Sequence, residues 1–328
     1  MREIGSEFWN IPVVDKRNGL FPQNTQWFLS GRSALKSIVS EISHCETIAM
    51  PSWCCDSMVK PFLEQGYNVQ FYPVYWRDGL IQDISLNCDV LFLLDYFGYT
   101  SSVNISGYSG IVIRDVTHSL FSASYSDANY YFGSLRKWCG VWTGGYAWTA
   151  DGHNLSVNGT VDFGYVELRA EAMQLKEKYI NGEGDKRYLK FFEKAENSLD
   201  NIGIANAIER DVLLANRLNI DFIRKQRKTN ADVLRRNFAE WLVFGDIRDT
   251  DCPMFVPVIV PDGKRDDLRT HLIKNNIYCP VHWPISEYHK LNGDTKHIYE
   301  NELSLVCDQR YGEEDMNRMV TVIKDFMY

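Results

Sequence analysis

One aspartate and one lysine in the middle of the chain have the types and spacing for a defined chemistry. Asp115 begins the segment Asp115-Val116-Thr117-His118-Ser119, and Ser134-Leu135-Arg136-Lys137 follows about twenty residues later. A carboxylate and then a primary amine suit pyridoxal phosphate. That cofactor is an electron sink only while its ring nitrogen stays protonated, which a hydrogen-bonded carboxylate ensures. Its aldehyde must be held reversibly by an amine that can afterwards carry a proton between carbon centres, and a lysine does both. Asp115 is the expected ring partner and Lys137 the expected amine. Taken singly they read as a turn-capping aspartate and a solvated loop lysine; order and spacing together favour the chemistry.

These residues need elements to position them. Ile111, Val112 and Ile113 predict a buried parallel strand that leaves Asp115 and His118 at its carboxyl end, where open α/β sheets bind ligands. A second strand, Tyr130 to Phe132, should deliver Ser134, Arg136 and Lys137 into a loop closed by the flexible pair Gly144-Gly145. Upstream, Ser30 opens a helix with Leu35, Ile38, Val39 and Ile42 on one face. Its first turn, Gly31-Arg32-Ser33-Ala34, offers amides and a helix dipole to an anion, and Gly31 allows close approach. Thr47 to Met50, a helix to about Gln65 and a strand from Asn68 to Val74 make a βαβ rhythm, and Asp89 to Tyr96 reads as a central strand.

From Val161 to about Phe238 the pattern is helical, with breaks at Asn181 to Gly184 and near Asp200. A smaller α+β region follows: strand Met254 to Val260, helix Lys264 to Asn275, and a last helix from Glu313 that buries Met316, Met319, Val320 and Ile323. The chain thus divides into an arm (1–24), a large cofactor-binding domain (25–220) and a small C-terminal domain (221–328).

The chain resembles the DegT/DnrJ/EryC1/StrS sugar aminotransferases, a group of fold-type I pyridoxal phosphate enzymes. The resemblance rests on Gly31-Arg32-Ser33-Ala34-Leu35, Met50-Pro51-Ser52-Trp53-Cys54-Cys55, Asp115 to Ser119, Ser134 to Lys137, Val281-His282-Trp283-Pro284 and the run from Leu303 to Met316. It implies an aspartate aminotransferase-like α/β fold with a large, mostly parallel sheet. It places Thr117 beneath the cofactor ring, His118 near the ring hydroxyl, Ser134 with Gly31, Arg32 and Ser33 at the phosphate, and His282, Trp283 and Arg310 toward substrate. Trp53 is the aromatic offered for stacking on the ring, with Cys54 or Cys55 as the alternatives in register. The group's habits further imply an arm near the active site, and a homodimer with shared sites in which an asparagine, here Asn201 or Asn206, crosses to the phosphate. The spacing between serine and lysine is shorter than in many members and is closer to the wider fold class.

The expected reaction moves an amino group from an amino acid, by family habit glutamate, to a keto-sugar on a nucleotide, as in bacterial polysaccharide or amino-sugar synthesis. The related dehydratases replace the lysine by histidine, which Lys137 argues against. A cofactor-binding regulatory or scaffold protein without turnover is the rival of another class. A dinucleotide oxidoreductase is disfavoured, since no G-x-G-x-x-G follows the early strands.

Composition sets outer bounds. The 328 residues are 45% hydrophobic with a net charge of -8, which disfavours nucleic acid as the main partner. The N-terminal residues lack a long apolar run and no stretch approaches a membrane span, so a cytoplasmic protein with no membrane partner is expected. Eight scattered cysteines without C-x-x-C spacing are expected as reduced thiols. Cys279 and His282 stand at C-x-x-H spacing without further ligands, so no metal is expected.

Overall fold

Where the chain is apolar at consecutive positions it is buried on both faces: Val90 through Leu94 all lie inside a seven-stranded sheet. The computed structural model describes residues 3–84, 87–99, 103–122, 127–157, 159–289, 291 and 293–327. In chain order come β1 (Ile4–Gly5), β2 (Gln26–Phe28), α1 (Gly31–Glu41), β3 (Thr47–Pro51), α2 (Asp56–Glu64) and β4 (Asn68–Tyr72). The hairpin β5 (Val74–Trp76) and β6 (Leu80–Gln82) is followed by β7 (Val90–Leu94), β8 (Ile111–Asp115), β9 (Tyr130–Ser134) and β10 (Gly145–Thr149). Then come α3 (Phe163–Ile180), α4 (Tyr188–Ser198), α5 (Glu209–Ala215) and α6 (Ile220–Asn237). The chain ends with β11 (Phe255–Ile259), α7 (Arg265–Lys274), β12 (Ile277–Tyr278), α8 (Gly293–Asn301), β13 (Glu302–Val306) and α9 (Glu313–Met327).

The large sheet has the order β2-β10-β9-β8-β7-β3-β4. Its pairings are parallel except those of β10, which runs against both β9 and β2. The expected large, mostly parallel sheet is therefore present. A second apolar core gathers the β11–β13 pair, α7, α9 and the later part of α6, and Ile4 of the arm belongs to it because β1 pairs with β12. Ile223, near the start of α6, packs instead with Val116 and Leu135 under the large sheet. Glu3 fastens the arm further through buried Lys176 (3.2 Å) and through Lys186 (3.4 Å).

Two local expectations need correcting. The strand drawn from Asn68 to Val74 ends at Tyr72, since Pro73 has no amide for the ladder, and Val74 opens a separate hairpin. Gly145 is the first residue of β10, paired with Ser134, and not part of a flexible closing loop. A glycine is required there because a Cβ would come within 2.0 Å of the Ser30 carbonyl oxygen. Among the described residues no helix is long and apolar enough to cross a membrane.

Candidate active site

Asp115 ends β8, between Leu94 of β7 and Phe132 of β9. Its carboxylate is buried and accepts the Thr117 amide proton at 2.8 Å. Burial pushes its pKa up, opposed by the Thr117 side chain, by the positive charge of Lys137 and by that amide bond. Behind it Arg114 pairs with Asp95 (2.8 Å), which also accepts the Ser119 hydroxyl (2.5 Å), so the turn after β8 is tied to the end of β7. The Trp138 indole donates to the Thr117 carbonyl (2.6 Å), which couples that turn to the segment carrying Lys137.

Lys137 closes a single 3-10 turn, Leu135–Lys137, that begins directly after β9. The loop beyond it is held by buried Asp211, which accepts the amides of Trp142 (3.1 Å) and Thr143 (2.7 Å) and the Thr143 hydroxyl (2.9 Å). Lys137 and Arg136 line two adjoining spaces. A chamber of about 80 Å³ has Asp115, Thr117, Ser134, Gly31, Arg32 and Glu196 in its wall. A wider cavity of about 440 Å³ is bounded by the arm at Ser6 to Phe8 and by His282, Arg227, Arg269 and Arg310. Residues from β8, β9, α1 and the arm thus meet around one lysine.

The chamber's inner end suits a phosphate. The Ser134 hydroxyl is buried with no hydrogen-bond partner among the described residues. Gly31 brings the N-terminus of α1 so close that a Cβ would lie 3.3 Å from that of Ser134. Ser33 contributes differently from expectation: its amide donates to the capping Ser30 hydroxyl (3.2 Å) and its own hydroxyl to the Gly203 carbonyl (2.9 Å). The amides of Gly31 and Arg32 are left to face an anion. The Arg32 guanidinium pairs with Glu196 at 3.0 Å. Set beside Asp115 and Lys137, the orphaned serine and the glycine-walled cradle fit the pyridoxal phosphate expected from the sequence.

Other expected residues have different surroundings. Trp53 is buried against Tyr96 (centroids 4.9 Å apart, planes at 13°), and its indole donates to the His282 carbonyl (2.5 Å). The chamber is walled by Cys55, Ser57 and Met58, and Trp53 is not among its lining residues. His118 is fully buried beside Trp283 (5.8 Å) and Phe97 (5.1 Å), and its Nδ1 accepts the Phe97 amide proton (3.4 Å). Burial, then Lys137 and His282, hold it well below the usual imidazole range, so it is neutral with its proton on Nε2. Trp283 packs in the same aromatic cluster. Arg310 is engaged by Asp308 (2.8 Å) and by the carbonyls of Ser6 (3.0 Å) and Glu7 (2.9 Å), which makes it a brace for the arm as well as a cavity wall. Asn206 lies beside β2 and Asn201 on an exposed turn.

Sequence reasoning missed Glu196, Glu302 and the wall role of Arg136. Only Arg136 had a visible signal, its place between Ser134 and Lys137.

No protein-family model matches the sequence, and neither does any curated protein. Solved structures do match in fold. The chain aligns over 98% of its length with 99% of Helicobacter pylori PseC, an aminotransferase of pseudoaminic acid biosynthesis, at 16% identity and a TM-score of 0.63. It matches the sugar aminotransferase CalS13 of Micromonospora echinospora at 15% identity and a TM-score of 0.62, covering 92% of this chain and 87% of that one. The PLP-form of a putative sugar aminotransferase, Spr1654 of Streptococcus pneumoniae, matches at 15% identity and a TM-score of 0.60, over 93% and 88%. The fold is that of the sugar aminotransferases, as the resemblance implied.

Proposed function

We propose that the chain is a pyridoxal phosphate-dependent aminotransferase that moves an amino group from an amino acid, glutamate by family habit, to a keto-sugar carried on a nucleotide. The observation that carries this reading is the meeting of Asp115, Lys137 and the partnerless Ser134 hydroxyl around one chamber. When bound, the cofactor supplies the electron sink. Asp115 keeps a proton on the ring nitrogen, and Thr117, fixed by Trp138, forms the floor. Lys137 holds the aldehyde end and moves a proton at the reacting carbon in each half of the reaction. The adjoining cavity presents Arg227, Arg269 and Arg310 against Glu7 and Asp308, an excess of positive charge that suits an anionic substrate. The fold shared with PseC and CalS13 supports a sugar acceptor. A homodimer is the expected assembly, and exposed Phe163, Leu189 and Leu213 are consistent with one.

The test is spectroscopic. Purified protein should take up pyridoxal phosphate with a yellow absorbance band that glutamate bleaches, and the bleached form should be reoxidised by members of a panel of nucleotide keto-sugars. Asp115→Asn should still bind cofactor but lose most turnover. Protein that takes up no cofactor, or an Asp115→Asn variant within a few-fold of wild type, would overturn the assignment.

A further inference from the structure

The phosphate end of the chamber holds more charge than a helix N-terminus and a serine provide. Arg32 from α1 and Arg136 from the turn after β9 both reach the same carboxylate, Glu196 of α4, at 3.0 and 3.4 Å. All three residues line the chamber together with Ser134. Arg136 is held from behind by Tyr165, its guanidinium 5.9 Å from the ring centroid, and its Nε is buried without a hydrogen-bond partner among the described residues. Glu196 differs from the arginines in freedom: its side chain is half exposed, whereas those of Arg32 and Arg136 are 25% and 14% exposed. The arginines are the fixed part of the cluster and the carboxylate is the part that can leave.

We propose that Glu196 is a resident counter-ion for an arginine clamp made by Arg32 and Arg136, and that the cofactor's phosphate takes the clamp by displacing it. The inference rests on the pyridoxal phosphate reading above and goes beyond it by making cofactor loading a competition between a protein carboxylate and a ligand phosphate. A dianion seated on the Gly31 and Arg32 amides and the Ser134 hydroxyl lies beside Glu196, and like charges at that separation repel. Two guanidinium groups can each offer a phosphate charge-assisted hydrogen bonds, which outweigh the bridges to Glu196, while the longer contact of Arg32 with Asp200 (3.9 Å) stays in place. Burial raises the Glu196 carboxyl, but Arg136, Arg32 and Arg169 hold it down to about 2, so near neutral pH it leaves as a carboxylate and no proton is exchanged. Before cofactor arrives, the same carboxylate relieves the repulsion between the two arginines.

The experiment is a binding titration of the full chain, freed of cofactor, with pyridoxal phosphate and with pyridoxal, plus inorganic phosphate as a competitor of the first. Glu196→Gln should tighten pyridoxal phosphate by about five- to tenfold and make inorganic phosphate a better competitor, while pyridoxal binds as to wild type. Arg136→Gln should loosen pyridoxal phosphate by about tenfold or more and leave pyridoxal unchanged. Should the buried Arg136 prove necessary for folding, the exposed Glu196 variant still decides the matter. Unchanged or weaker pyridoxal phosphate binding by Glu196→Gln, or an equal change for pyridoxal, would overturn the clamp and leave the aminotransferase reading standing. A wild-type chain that binds neither compound would overturn that reading, and the clamp with it.

Discussion

A buried carboxyl outside the chamber gives a test whose size follows from the geometry. Glu302 opens β13 with no exposed surface. Its two oxygens bond the His282 amide (2.8 Å) and the Ser304 hydroxyl (2.5 Å), and that hydroxyl also bonds His282 Nδ1 (2.9 Å). Burial pushes its pKa up from 4.5 to about 8, against the two hydrogen bonds and Arg265, which favour the charged form. His282 is pushed down to about 3 by burial and then by Lys137, so it stays neutral. The Ser304 hydroxyl donates to the carboxyl and also lies against His282 Nδ1, so one serine joins the two groups.

A carboxyl whose folded value lies above its unfolded value binds more protons when folded. Its stabilising contribution is full below 4.5 and is lost as pH rises through about 8. The slope is about 1.4 kcal/mol per pH unit, or about 3 kcal/mol between pH 5.5 and 7.5. Glu302→Gln keeps the shape and an oxygen to accept the Ser304 hydroxyl, and does not titrate. Urea denaturation of wild type and variant across that range should show the variant gaining on wild type by about that amount, since all other titrations cancel in the difference. A difference that stays flat would mean that Glu302 is already ionised in the folded chain, and the effect assigned to its burial would fall with it.

Two further perturbations probe the site. Lys137→Ala should retain binding of pyridoxamine phosphate through the cradle at Gly31 and Ser134, yet transaminate more slowly by about 10² to 10⁴ or beyond; steady-state rates within about tenfold of wild type would make Lys137 a bystander. Gly145→Ala would set a methyl group 2.0 Å from the Ser30 carbonyl oxygen and 2.3 Å from its carbon, backbone atoms that no rotamer change can clear. It should cost about 1–3 kcal/mol in urea denaturation and weaken pyridoxal phosphate binding, because the N-terminus of α1 must retreat; an unchanged midpoint and affinity would show that α1 is not held there.

What could be read from the sequence divides along lines of chain distance. That Asp115 and Lys137 would meet at one chamber was legible because the two strand ends that carry them are close in sequence. The helix N-terminus at Gly31 was legible because Ser30 caps it locally, and the Ser30 hydroxyl does accept the Ser33 amide. Trp53 was not: three candidates follow Pro51 in a row, and a shift of one residue changes the face on which a side chain emerges. Its direction is set by the His282 carbonyl, 229 positions away. The charges divide in the same way. Cations stand out in a motif, as Arg136 does beside Lys137, but whether they are free or neutralised depends on carboxylates from other elements. Glu196 reaches Arg136 from α4 across 60 positions, and Asp308 engages Arg310, which the family resemblance assigns to substrate. A sequence therefore shows which charged residues a site can use before it shows which of them the fold has already paired, and that pairing decides the order in which ligands must displace protein groups.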